Sequence, residues 1–573
     1  MTSVDDASPA DEAATIIGWT TARLATGADA EARAALAAAA VRHPDHAALA
    51  ARHADALHAD GQVEDAAAEY RRALALDASM ADAWYGLGCI ELGRDAYGEA
   101  ARCLRQAIAQ QPDAAAWRFN LGKALFELGE VDAAVECYRR ILDGGDPALY
   151  GEALLRIACI IPGAASADNA AVLESRRAWA ATEATASARE NRQRPPTARA
   201  GKLRIGYVSA FFGDRNWMKP VWGAVNHHDR SRFEIHFFVD GKPPTAESGY
   251  RDAADDRVHT VTGATNDGLA DYIARFGIDV LVDLNGYSFP RRLGLFLRRP
   301  APVIVGWFNM FATTGIDGFD CIVGDDAVIP AAEERFYSER VLRVPGSYLA
   351  FSVLYPVPEV APPPVGMSGT LTFGCFCSQY KITDDTIDAW AAILRGAPQA
   401  RLRLKNRALG DASTQAALCE RFARRDVDPV RVITDGPSEH YAYLAAYDRV
   451  DIALDTFPYS GGTTTMEALW QGVPVLTFDG DRWAARTSVS LLRAAGLDSW
   501  CLPDRDAFVE RAIALANAPT TPTELADLRA TLRDRLARSA VCDSAGLCRA
   551  FEGIYETIAS GVRSQVPKRD LLG

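Results

Sequence analysis

Between about residues 45 and 147 apolar positions recur at helical spacing, and the whole pattern then repeats as a block. Ala66, Ala100 and Ala134 stand 34 residues apart, as do Tyr70, Leu104 and Tyr138, and again Leu74, Ile108 and Leu142. Leu87-Gly88 returns as Leu121-Gly122, and Tyr85 is answered by Phe119. The spacing predicts pairs of amphipathic helices, each pair a copy of the one before. From Leu203 the pattern changes to short β-branched and aromatic runs: LRIGYVSA, FEIHFFV, DVLVDLNG and VIVGWF, with DGLADYIARFG between two of them at helical spacing. Strands alternating with helices predict a mostly parallel sheet covered on both faces. A second such series follows from Leu371 with LTFGCF, ARLRLKN, VRVITDG, VDIALDT and VPVLTF.

The phrases GQVEDAAAEYRRAL, DAYGEAARCLRQAI and GEVDAAVECYRRIL, with small residues where paired helices touch, resemble the tetratricopeptide repeat. Three copies are clear, and EARAALAAAAVRHP reads as a degenerate one before them. Such hairpins bury their apolar faces only by stacking, so the expected product is a curved superhelix. Its concave face suits a protein or peptide; a spacer or a dimerisation element is the plainer reading. The polar stretch ARENRQRPPTARAGK reads as a linker, and YPVPEVAPPPVGMSG as a connector between two α/β halves. The expected organisation is therefore repeats over 10–147, a helical extension and linker over 148–200, and two Rossmann-like domains over 201–362 and 363–573. Two such sheets facing one another form a cleft between the C-terminal ends of their strands, where ligands bind.

Composition narrows the chemistry. In 573 residues the 61 Lys and Arg are outnumbered by 75 Asp and Glu, a net charge of −14, which argues against nucleic acid or an anionic membrane as the chief partner. No apolar stretch reaches the ~18 residues of a membrane span. The acidic start MTSVDDASPADEAA lacks the regions of a signal peptide, so a cytoplasmic location is expected. The 11 cysteines show no CxxC pair, and Cys375 and Cys377 read as buried thiols.

Neither GxGxxG after the first strand nor a P-loop is present, so a nucleotide is held by some other device. The candidate is LDTFPYSGGTTTMEALWQGVPVLTF: a strand, a glycine turn and a helix beginning near Thr464. Gly461 and Gly462 permit close backbone approach, the helix start offers free N–H groups to phosphate, and Thr463 and Thr464 add hydroxyls. Glu467, one turn in, suits a ribose diol; the plainer reading makes Thr464 and Glu467 a capping box. In FCSQYKITDDTIDAW, Lys381 opens a second helix and suits a diphosphate, against the alternative of an ordinary surface lysine. His440 precedes another helix, where a structural hydrogen bond is the alternative.

Taken in order, FCSQYKI, SEHYAYLAAYDRVDIALDTFPYSGGTTTMEALWQGVPVL and GDRWAART resemble the O-GlcNAc transferase family, including its bacterial and SPINDLY-like members. LRIGYVSAFF, VDLNGYS, LFLRRPAPVIVGWFNMFATTG and ERFYSERVLRVPG continue the likeness upstream. The resemblance covers about 200–560 and implies a GT-B fold and an inverting, metal-independent protein glycosyltransferase using UDP-GlcNAc on Ser or Thr. By the same resemblance Lys381 sits on the diphosphate, Gln379 and His440 line the nucleotide site, Thr463 and Thr464 contact phosphates, Glu467 takes the ribose, and Arg486 matches an arginine of the following helix. Glu467 stands where animal members have aspartate, and Gly462 where some carry histidine. Tyr380 and Asp283 are candidates for the acceptor's proton. Asp479, Asp481, Asp325 and Asp326 read as loop and cap residues rather than a metal site.

One motif departs from the family. Where members with protein O-GlcNAc activity have a histidine after the first strand, this chain has GDRNWMKP, placing Arg215, Asn216 and Trp217 on the acceptor and sugar side. His227 and His228 fall a full helix later. The departure leaves open another donor sugar or acceptor, flagellin for example, or a non-catalytic repeat scaffold that senses a nucleotide sugar.

Overall fold

The structure, a computed structural model, describes residues 9–24, 30–186 and 201–563. The start of the chain and most of the expected linker lie outside the described residues. The repeat region folds as stacked hairpins: Ala47–Ala59 with Val63–Leu76, Ala81–Gly93 with Tyr97–Gln110, and Ala115–Glu127 with Val131–Gly144. The degenerate copy is the helix Ala30–Arg42, preceded by Pro9–Leu24, and Tyr150–Ile160 and Asn169–Ala186 extend the stack on the other side.

The repeating residues are the contact residues. Ala66, Ala100 and Ala134 are all fully buried. A Cβ at Gly88 would lie 2.8 Å from Leu104, and one at Gly122 2.7 Å from the Tyr138 ring, so glycine lets the two helices of each hairpin close. The hairpin turns share one left-handed residue at the repeat spacing: Gly61 (φ 76°), Asp95 (φ 61°) and Gly129 (φ 81°).

The first sheet contains β1 (Leu203–Ser209), β2 (Phe233–Val239), β3 (Arg257–Thr260), β4 (Val280–Asp283), β5 (Val303–Gly306), β6 (Cys321–Gly324) and β7 (Arg340–Arg343). Its order is β3-β2-β1-β4-β5-β6-β7, all parallel. The second contains β8 (Thr372–Cys375), β9 (Arg401–Lys405), β10 (Val432–Asp435), β11 (Ile452–Leu454), β12 (Val475–Phe478) and β13 (Cys501–Leu502). Its order is β10-β9-β8-β11-β12-β13, also parallel. Each order reverses once, beside β1 and β8, where a doubly wound sheet opens a crevice. Nine of the thirteen described strands are those predicted, the edge strand β10 among them. Four others went unpredicted: β3 is polar and largely exposed, β6 and β7 are four residues each, and β13 has two.

Two packing relationships cross the expected divisions. The last described helix, Ser544–Arg563, returns to the first half, where Phe551 packs 4.3 Å from Trp307 (ring centroids) and Tyr555 Oη lies 3.3 Å from Tyr207 Oη. The repeats also dock on the α/β halves. Arg421 donates to Leu128 O at 2.7 Å, the Glu99 N–H donates to Ser413 Oγ at 3.0 Å, and Arg407 pairs with Asp95 at 3.0 Å. Buried Arg176 donates to Met310 O at 3.1 Å and to Ala158 O in its own helical region at 3.2 Å. Among the described residues no helix is long and apolar enough to cross a membrane.

Candidate functional site

A cavity of about 760 Å³ lies between the two sheets, lined by residues that follow β1, β4, β5, β8, β9 and β11. Strand C-termini thus converge on it from both sides.

Its most organised wall is the glycine turn. Beyond β11, buried Asp455 accepts the Gly461 N–H at 2.7 Å, the Thr456 N–H at 2.9 Å and the Thr477 hydroxyl at 2.7 Å, which fixes the turn. The helix that follows is Thr463–Trp470, one residue earlier than expected, and its N-cap is Gly462 with no side-chain cap. The anticipated capping box is therefore not formed. Thr464 Oγ1 lies 3.2 Å from Cys377 Sγ, and Glu467 pairs with Lys219 instead. Uncapped amides at a helix start, facing a cavity, are a ready anion site.

Lys381 reaches this wall from the short turn after β8. Its ammonium donates to Ser460 O at 2.8 Å and stands 4.2 Å from the centroid of the Tyr459 ring. Burial pulls its pKa down, while Cys377 and Asp455 pull it up. Cys377 itself is lowered to about 7 by the Cys375 hydrogen bond and by Lys381, against burial.

His440 begins the helix His440–Ala445, and burial, with Lys219 and Arg215, lowers its pKa to about 4. It is a neutral imidazole whose Nε2 accepts from Lys219 Nζ at 3.2 Å. Arg215, Asn216 and Trp217 form the first turn of the helix Arg215–Val225, capped by Asp214, and all three line the cavity. The Trp217 ring, 38% exposed, stacks on Phe211 at 4.5 Å, and the Arg215 guanidinium lies 5.4 Å from the Tyr355 ring centroid.

The structure thus brings Lys381, Tyr380, His440, Gly461, Gly462, Thr463, Thr464, Glu467 and Arg215–Trp217 to one cavity. Three expected residues lie outside its lining. Gln379 turns to the repeats, donating to Leu128 O at 3.5 Å and accepting from Asn406, while its neighbour Ser378 takes the cavity position. Arg486 is buried on Glu333 of the first half at 2.7 Å, an ion pair across the halves. Asp283 is fully buried, accepting the Asn285 N–H at 2.9 Å and the Gly286 N–H at 3.2 Å, and burial raises it to about 7. Tyr380, raised to about 12 by burial, stays protonated. His227 and His228 are likewise elsewhere: His227 bonds Gly223 O at 2.6 Å, and His228 sits in a buried network with Tyr207 and Glu552.

The acidic snippets are occupied locally. Asp325 accepts two backbone amides of its own turn and the Ser490 hydroxyl, Asp326 pairs with Arg343, Asp479 with Arg493, and Asp481 with Arg482. Missed by the sequence reading were Lys219, Tyr355, Ser378, Asn406 and Tyr443. Lys219 had a signal: it stands four residues after Arg215, on the same helix face.

The profile described as Glycosyl transferase family 41 matches residues 185–352 and 367–550. Tetratricopeptide repeat profiles match 54–90 and 85–148. A tomato (Solanum lycopersicum) protein named as a probable UDP-N-acetylglucosamine--peptide N-acetylglucosaminyltransferase, SPINDLY, is 31% identical over 364 residues, covering 62% of this chain and 38% of that one. The UDP-N-acetylglucosamine--peptide N-acetylglucosaminyltransferase of Caenorhabditis elegans is 22% identical over 484 residues, 64% of this chain and 41% of that one. The chain thus spans about two-fifths of the length of these curated relatives. A solved structure, a point mutant of the Thermobaculum terrenum O-GlcNAc transferase, superposes with a TM-score of 0.76 at 30% identity, covering 91% of this chain and 98% of that one.

Proposed function

Because the chain belongs to glycosyl transferase family 41, we propose that it transfers a sugar from a nucleoside diphosphate donor, UDP-GlcNAc first among the candidates, to Ser or Thr hydroxyls of a protein presented by the repeats. The observation that carries this reading is the convergence of Lys381 and the uncapped start of Thr463–Trp470 on one cavity. Breaking the anomeric C–O bond leaves negative charge on the departing phosphate. A preorganised ammonium and oriented amides stabilise that charge. The acceptor oxygen attacks from the face opposite the diphosphate, inverting the anomeric centre, and no metal is required in this scheme.

Proton removal from the acceptor falls, in this reading, to a donor phosphate oxygen or a water. Tyr380 holds its proton and stacks on the repeats, and Asp283 faces its own backbone. A second reading keeps the chemistry and changes the sugar or acceptor. It is favoured by Arg215 and Trp217, a cation and an exposed ring on the side opposite the phosphate wall.

The test is a donor panel of UDP-GlcNAc, UDP-Glc, UDP-Gal, GDP-sugars and CMP-sugars with host lysate, read by intact-protein mass. A sugar-sized mass shift with a UDP- or GDP-sugar supports the reading and names the sugar, whereas a shift with a CMP-sugar alone, which releases a monophosphate, overturns the diphosphate donor. No binding and no shift with any donor refutes it.

A further inference from the structure

Lys219 and Glu467 stand on opposite halves of the cleft, and each is only 4% exposed. Lys219 is carried by the helix Arg215–Val225 and Glu467 by Thr463–Trp470. The Lys219 ammonium donates to Glu467 Oε1, also reaches His440 Nε2 at 3.2 Å, and lies 4.6 Å from the Tyr355 ring centroid. Among the described residues every polar contact of the carboxylate is made by Oε1, His440 at 3.9 Å included, while Glu467 lines the cavity. One oxygen is held and the other is left for a ligand.

A carboxylate this deeply buried takes up a proton unless a cation stays beside it. Burial raises the pKa of Glu467, and Lys219 lowers it. The other facing groups do not replace that cation. His440 is neutral, Tyr443 and Tyr447 are raised and neutral, and the Arg215 guanidinium lies over the Tyr355 ring, 5.4 Å from its centroid, while the ion pairs of Glu467 are with Lys219 and His440.

We propose that Lys219 is a positioning residue of the nucleotide site: by occupying Oε1 from the opposite half, it presents Glu467 as a carboxylate whose Oε2 accepts the donor's ribose hydroxyls. The inference rests on the nucleotide reading of the cleft. It makes ribose selectivity a property of both halves, set by a residue that touches no part of the nucleotide.

The test is titration calorimetry of the full chain with UDP, GDP and their 2′-deoxy counterparts at pH 6 and pH 8. Hydrogen bonds to a charged group predict that the wild-type chain prefers the ribo form by about tenfold or more. Lys219→Met brings that ratio toward one, and more so at the lower pH, because burial without the Lys219 cation favours the protonated carboxyl. Lys219→Arg restores it. A ratio unchanged in Lys219→Met, with both forms weakened equally, overturns the inference and leaves Lys219 a structural or phosphate contact. If Lys219→Met does not fold, Lys219→Met/Glu467→Gln removes both buried charges and is compared with Glu467→Gln: equal ratios support the coupling, and a further loss overturns it. Failure of the wild-type chain to bind UDP or GDP overturns the nucleotide reading, and the inference with it. Binding without ribose preference overturns the inference alone.

Discussion

Phe126, on a repeat helix, stacks face to face on Tyr380, the residue before Lys381, with ring centroids 5.0 Å apart and ring planes 18° from parallel. Beside it Leu128 O accepts hydrogen bonds from both Arg421 and Gln379. The third clear repeat is therefore part of the wall that carries Lys381.

Truncation tests whether the repeats serve the acceptor as well as the wall. Removing residues 1–76 spares this wall and is expected to preserve donor hydrolysis while lowering transfer to protein. Removing 1–147 strips Phe126 from Tyr380 and is expected to reduce both, with a lower melting temperature. Donor hydrolysis, intact-protein mass and thermal unfolding of the two truncations decide it; equal behaviour of both would dissociate the wall from the repeat.

Gly129→Ala is expected to disturb the lysine from the repeat side. A Cβ there would lie 2.3 Å from Ile382 O and 3.1 Å from Gln379 O, on backbone that flanks Lys381, at a φ of +81°. Strain of about 1–3 kcal/mol follows, together with weaker nucleotide binding. Gly61→Ala is the control: φ is +76°, but nothing lies within 4 Å, so only the smaller backbone cost remains and binding is unchanged. Denaturant unfolding and nucleotide titration read the two effects.

Lys381→Ala is expected to lower transfer by roughly 10²–10³-fold, the magnitude seen when one group stabilising a developing oxyanion is removed. Secondary structure by circular dichroism should remain that of the parent. Unchanged turnover would remove Lys381 from the mechanism.

Cys377 is expected to be the thiol that reports occupancy of the cleft. Its pKa of about 7, against about 9 for the free group, makes iodoacetamide labelling rise through neutral pH and level off above it. Bound donor should block the labelling, since Cys377 Sγ contacts Thr464 at the helix start. Peptide mass mapping with and without nucleotide checks the reactivity; labelling indifferent to nucleotide would place the ligand elsewhere.

Much of the fold was legible in order and spacing. The alanines at period 34 and the paired glycines mark helix contacts, because only small side chains allow backbones that close. The central strands were legible as apolar runs buried on both faces. The edge strands β3 and β13 were not, since exposure and brevity erase the pattern. At the site, the glycine turn, Lys381 and His440 were readable as motifs. The choice between Gln379 and Ser378 was not, because a short turn rather than a helix or strand decides which neighbour faces the cavity.

By itself the sequence determined the architecture: a repeat superhelix, two parallel α/β halves and a phosphate-suited turn, each set by local periodicity and by residues close in the chain. Only the tertiary structure decided what Glu467 meets. Local spacing offered it a capping role with Thr464, but burial in the cleft demands a cation, and the nearest one comes from Lys219, 248 positions away. The same holds for Tyr380 against Phe126 and Arg486 against Glu333. Pairings across halves depend on how layers dock, and that information is carried by no single stretch of chain.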